Sequence, residues 1–85
     1  MKKDEIELYS WIIRGKQRLA IIRVLDEPKT PKQISEQTKI KFSNTSDVLR
    51  AMVQKGLAKC LNPREKIGRL YILTKKGEIL QKQIK

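Results

Sequence analysis

Apolar residues recur at helical spacing through the first two thirds of the chain and then shift to a shorter, strand-like pattern. Asp4 to Arg14 carries Leu8, Trp11 and Ile12 at helical spacing behind carboxylates suited to the positive end of a helix. From Lys16 to Asp26 the residues Leu19, Ala20, Ile21, Ile22, Val24 and Leu25 cover most of a helix circumference, leaving mainly Gln17, Arg18 and Arg23 for water. A helix apolar nearly all round is buried on several sides, so this one is predicted to be central. Thr30-Pro31-Lys32-Gln33 then reads as a helix start: a threonine N-cap, proline at the first helical position and glutamine as capping-box partner. That short helix runs to about Lys39, with Ile34 and Thr38 facing inward.

A further helix is predicted from Phe42 to Lys55, with Gly56 just beyond its end. At about 100° per residue, Thr45, Val48, Leu49 and Met52 share one face. Ser43, Asp47, Arg50 and Gln54 share the other, with Asn44 and Ser46 on the flanks. After Gly56, Leu57 to Leu61 and Arg69 to Leu73 read as short strands joined by the turn-rich, basic stretch from Asn62 to Gly68, a β-hairpin. Thr74 caps a last helix whose apolar side is Ile79, Leu80 and Ile84. The expected class is mainly α with a small β-hairpin (α+β). It forms one domain over 1–85: an N-terminal helix at 4–14, a core at 16–77 with its hairpin at 57–73, and a C-terminal helix at 75–85.

An 85-residue chain supports one modest core. No unbroken apolar run exceeds the four residues of Leu70 to Leu73, far short of the roughly 20 residues that span a bilayer. Met1-Lys2-Lys3 leads into Asp4 and Glu5, not into the apolar stretch of a secretion signal, so the expected location is cytoplasmic, with no membrane contact. Histidine is absent and Cys60 is the only cysteine, which excludes an internal disulfide, the usual zinc ligand sets and a Ser-His-Asp arrangement. No enzyme and no cofactor are expected. Cys60 reads as a small packed residue with no resolving thiol nearby. Tyr9 and Trp11 are not interleaved with cations as a single-strand stacking platform would be, so Trp11 is expected in the core or an interface.

Charge changes the picture most. Lys plus Arg number 20 against 9 Asp plus Glu, a formal +11, the electrostatic footprint of a protein that neutralises phosphates. Between residues 56 and 85, eight cations face two carboxylates, so the excess is concentrated in the hairpin and tail.

The order of helix, helix, tight turn, helix, hairpin and closing helix resembles a winged helix-turn-helix domain. The sequence is similar to the small archaeal and bacterial regulators of the MarR and ArsR type. The resemblance is carried by Thr30-Pro31-Lys32-Gln33-Ile34-Ser35, Asn44-Thr45-Ser46-Asp47-Val48-Leu49-Arg50, Lys55-Gly56-Leu57 and the stretch from Gly68 through Thr74 to Gly77. It implies transcription control by binding double-stranded DNA, with the third core helix in the major groove and the wing on the adjacent backbone. Lys41, Ser43, Asn44, Ser46 and Arg50 would then reach bases or phosphates. Arg64, Lys66 and Arg69 at the wing would reach the sugar-phosphate backbone or a minor groove, and Lys32 with Gln33 at a helix N-terminus would offer another phosphate seat.

Two positions depart from the family pattern. Asp47 stands where Arg or Lys is frequent, and it can pair with Arg50 or accept a hydrogen bond from cytosine. Lys41 stands where a capping serine is usual, leaving Ser43 as a later cap. The terminal helices offer Leu8, Trp11, Ile12, Ile79, Leu80 and Ile84 either to a twofold homodimer contact or to the monomer's own core. Two other functions remain open: a protein-docking winged helix within a transcription or replication assembly, and a general chromatin or RNA-binding protein.

Overall fold

The computed structural model describes residues 2–84. In chain order it contains α1 (Lys3–Ile13), α2 (Lys16–Val24), α3 (Pro31–Thr38), α4 (Phe42–Gln54), β1 (Ala58–Cys60), β2 (Tyr71–Leu73) and α5 (Lys75–Ile84). Lys85, the expected last residue of the closing helix, lies outside the described residues.

The apolar wrap of α2 has the expected consequence. Ile21 and Ile22 are fully buried, and α1, α3, α4 and α5 all pack against this helix. Ile12, Ile34, Leu49, Met52, Leu57, Leu73 and Leu80 close the same core. The helix is two residues shorter than its apolar pattern suggested, because Leu25 leaves helical geometry at φ −87°, ψ 65° while remaining buried.

The carbonyls released there find an unexpected donor. Gln81 on α5 is buried, and its Nε2 donates to the oxygen of Ile22 at 2.7 Å and to Asp26 Oδ1 at 3.1 Å. A distant glutamine therefore caps the central helix, whose last carbonyls have no partner within the helix.

The capping box at α3 forms as read: Gln33 N–H donates to Thr30 Oγ1, and Thr30 N–H donates to Gln33 Oε1. The start of α4 differs from expectation. Lys41 is the N-cap without any side-chain cap, and Ser43 lies inside the first turn. The order at this turn comes from donors on neighbouring residues. Ser35 Oγ donates to the Ile40 carbonyl at 2.5 Å, and the buried Thr45 donates Oγ1 to the Lys41 carbonyl at 3.1 Å.

Both strands are shorter than their sequence pattern. β1 and β2 pair antiparallel with Ala58 opposite Leu73 and Cys60 opposite Tyr71. Tyr71 also exchanges both backbone hydrogen bonds with Lys29, so the segment before α3 adds an isolated bridge to the hairpin edge. That bridge fixes the N-terminus of α3 beside the hairpin. One residue in β geometry between helices leaves no period for a sequence reading to detect.

At the hairpin's exit, Thr74 Oγ1 accepts from Gly77 N–H at 3.2 Å and donates to the Gly56 carbonyl at 2.6 Å. Gly77 lets α5 sit against the hairpin: a Cβ there would lie 2.1 Å from the Leu57 carbonyl oxygen.

The terminal helices divide their apolar residues between core and surface. Ile12 and Leu80, expected as candidates for a subunit contact, are sealed inside the chain at 0% and 5% exposure. Ile79 is half exposed, while Leu8, Trp11 and Ile84 pack partly against the core. Two cations lie over the Trp11 ring, the Arg18 guanidinium 4.4 Å and the Lys55 ammonium 4.9 Å from its centre. Arg18, expected to face water, thus covers an aromatic face and also donates to the Trp11 carbonyl at 2.8 Å.

Candidate nucleic-acid interface

A cleft of about 790 Å³ runs between α4 and the hairpin loop, with the N-terminus of α3 at its edge. Lys32, Ser46, Arg50, Lys66 and Arg69 line it, so three separate segments of the sequence deliver cations to one concavity. Among the described residues no carboxylate lines it. Cationic walls around a concave surface focus the potential on any polyanion that enters.

Local structure fixes each of these groups. Ser46 and Arg50 are one helical turn apart on α4, so both project from one side of it. Arg50 meets Asp47 at 3.4 Å, with both side chains about 70% exposed. An exposed pair of this kind is worth less than about 1 kcal/mol. Asp47 therefore holds Arg50 only weakly, and the carboxylate itself is outside the cleft lining.

The loop is braced by one side chain. Asn62 Oδ1 accepts from Leu70 N–H at 2.7 Å, and Asn62 Nδ2 donates to the Gly68 carbonyl at 3.2 Å. Arg69 Nε donates to the Glu65 carbonyl at 2.6 Å, which ties the arginine's stem to the loop and leaves its remaining N–H groups for a ligand. Gly68 has φ +72°, a left-handed conformation that glycine adopts without steric cost.

The other expected contact residues fall outside the cleft lining. Lys41, Ser43 and Asp47 are exposed on or beside the first turns of α4, Asn44 is half-buried, and Arg64 is exposed on the loop. Gln33 spends its side-chain oxygen on the capping box. The phosphate seat at α3 is also smaller than expected. Thr30, Gln33 and Ile34 have committed amides and Pro31 has none, so Lys32 alone supplies a first-turn N–H.

The stripe of α4 that meets the cleft is Phe42, Ser46, Arg50 and Val53, rotated from the polar face centred on Ser43 and Asp47. Phe42 and Val53 are 54% and 39% exposed. Both are apolar and so fall outside the polar contact groups expected from the sequence; an apolar residue off the core face of an amphipathic helix is the signal that marks them. Cys60 is half-buried at the cleft floor, its thiol 3.6 Å from Asn62 Oδ1. Among the described residues, no group of three or more His, Cys, Asp or Glu side chains is placed to hold a metal ion.

This arrangement of helices and hairpin has counterparts among solved structures. YodB from B. subtilis, in its diamide-treated form, superposes with a TM-score of 0.78 over 99% of this chain and 85% of its own, at 24% identity. The homodimeric winged helix-turn-helix DNA-binding domain of Mb0332 from Mycobacterium bovis, described as a possible ArsR-family transcriptional regulator, matches at a TM-score of 0.70 and 21% identity over 95% of this chain and 72% of the other. The fold is a winged helix. A MarR family transcriptional regulator from Silicibacter pomeroyi matches at 0.71 and 24% identity, covering 95% of this chain and 56% of its own. The structural neighbours of this winged helix are thus regulators of the MarR and ArsR type. No protein-family model and no curated protein sequence matches the chain. Among its described residues no helix is long and apolar enough to cross a membrane.

Proposed function

We propose that the chain is a sequence-specific, double-stranded DNA-binding regulator of transcription. The α4 helix enters the major groove, and the hairpin loop lies on the adjacent backbone and minor groove. The observation that carries this reading is the cleft between α4 and the loop, where Lys32, Arg50, Lys66 and Arg69 converge without a carboxylate. A helix fits the major groove, about 12 Å wide, and the strand bordering that groove would then run along the cleft between helix and wing. On α4, Ser46 and Arg50 reach base edges in this reading, with Lys41, Ser43 and Asn44 acting at the helix entry and Arg64 on the outer loop. The DNA-binding domain of Mb0332 and the MarR family transcriptional regulator from Silicibacter pomeroyi, which share this fold, support the same reading.

The functional unit is a homodimer. Leu8 and Ile79 line an apolar groove of about 270 Å³ between α1 and α5, and Ile6 and Ile13 are exposed on α1. Leu8, Ile79 and Ile84 form the twofold contact, while Ile12 and Leu80 support it from the core. Each half-site would be read by one protomer, about one DNA turn apart.

An anisotropy titration of labelled duplex across salt concentrations tests the proposal. About five phosphate-directed cations per protomer, Lys32, Lys41, Arg64, Lys66 and Arg69, give a log-log slope of about −4.5 for each half-site. A response independent of salt would rule out phosphate binding. A second reading, docking to another protein, draws on the exposed Phe42 and Val53 in the cleft. It would be favoured by a partner that co-purifies with a chain showing no duplex affinity at low salt.

A further inference from the structure

Ile67 is 90% exposed, whereas every other exposed large apolar side chain among the described residues lies between 39% and 54%. Burying it contributes almost nothing to folding, and yet the loop that carries it is closely braced. Asn62 bonds to Gly68 and Leu70, Glu65 N–H donates to the Asn62 carbonyl, and Arg69 bonds to Glu65. The loop therefore holds this isoleucine out in water, immediately after Lys66 and two residues before Arg69, at the lip of the cationic cleft. Phosphate contact alone calls for cations at such a tip and gives no use to a branched aliphatic side chain. A cation, an aliphatic group and, one glycine later, a second cation complement a minor groove, whose walls are phosphate and apolar deoxyribose on either side of the base edges.

We infer that Ile67 is an apolar wedge that the loop sets into the minor groove, partly unstacking one base step while Lys66 and Arg69 hold the flanking phosphates. The inference rests on the DNA-binding reading and deepens it. Aliphatic wedges of this kind open flexible pyrimidine–purine steps at lower cost than stiff A-tracts, and they kink the duplex. Part of the chain's sequence preference then comes from deformability near the wing, not from hydrogen bonds to bases.

The test uses the full chain and two duplexes of about 30 base pairs, one with repeated TA steps and one built of A-tracts, each carrying a donor–acceptor dye pair at its ends. Anisotropy gives affinity and energy transfer gives bending. The parent chain is expected to prefer the TA duplex and to shorten its end-to-end distance. Ile67→Ala should lower affinity for that duplex about tenfold, the loss of one aliphatic side chain's contact. It should also abolish the preference and the bend while leaving the salt slope unchanged. Ile67→Lys should also lose the preference and the bend in spite of its added charge.

The wedge is overturned if Ile67→Ala retains parental affinity and bending. It is equally overturned if Ile67→Lys binds both duplexes more tightly, with a slope steeper by about 0.9, because the tip would then rest on phosphates. A parent chain that binds neither duplex at low salt removes the DNA-binding reading and the wedge with it. Circular dichroism spectra of the two variants are expected to match the parent, since the side chain replaced makes little contact with the fold.

Discussion

Replacing Gly77 by alanine sets two effects of opposite sign against each other. Gly77 lies in the first turn of α5, and alanine in a helix interior is favoured over glycine by about 1 kcal/mol. The tertiary structure reverses the expectation. The new Cβ would stand 2.1 Å from the Leu57 carbonyl oxygen and 3.2 Å from the Leu73 Cβ. That oxygen is backbone, and it already accepts the Thr74 amide at 3.0 Å, so it cannot swing aside as a flexible side chain could. The helix has to retreat by about 1 Å to reach ordinary contact, disturbing the Thr74 cap and the packing of Leu80 and Gln81 behind it. Overpacking of this kind costs about 1–3 kcal/mol, and each weakened hydrogen bond about 1 more.

After the propensity gain is subtracted, a net loss of about 2–3 kcal/mol remains. For a domain of this size that lowers Tm by roughly 10–20 °C. Thermal unfolding followed by circular dichroism at 222 nm, with urea unfolding as a check, measures it. A variant as stable as the parent, or more stable, would refute the close approach of α5 to the hairpin. Gly56→Ala is the informative companion. Gly56 has φ +77° and no neighbour within 4 Å of an added Cβ, so only backbone strain of about 1–2 kcal/mol is expected there.

Further outcomes follow from other contacts. Gln81→Leu should cost about 2 kcal/mol by orphaning the carbonyl at the end of α2. Gln81→Glu should cost more at pH 7 than at pH 4.5: the introduced carboxylate would face Asp26 and a carbonyl, so the fold favours its protonated form and stability falls as pH rises. Chemical denaturation at the two pH values checks both. Paired Arg64→Glu and Lys66→Glu should weaken binding to every duplex and flatten the salt slope by about 2. Arg50→Ala should instead change which duplex is preferred, a contrast readable by competition titration. Arg18→Ala should lower stability by about 1–2 kcal/mol through loss of its stacking and its hydrogen bond. It should also shift the emission of Trp11, the only tryptophan in the chain.

The elements that sequence revealed best are those whose signal is local. The Thr30–Gln33 capping box, the all-round apolar α2, the glycine after α4 and the Thr74 cap each depend on residues within one or two turns, so spacing alone predicts them. Charge, likewise, is a sum over composition and needs no fold. Which side of α4 meets the cleft was decided elsewhere. The Lys29–Tyr71 bridge and the Asn62-braced loop set the hairpin and α3 beside that helix, and the open space falls along Phe42, Ser46, Arg50 and Val53.

The same division explains Ile12, Leu80 and Gln81. Their helical periodicity marks them as belonging to one face or another, but only the packing of α1 and α5 onto α2 determines that the two apolar residues are interior and that the glutamine ends a helix 59 positions earlier. Periodicity specifies direction around a helix axis. What lies in that direction depends on contacts between residues far apart in the chain, and these are fixed only when the core closes.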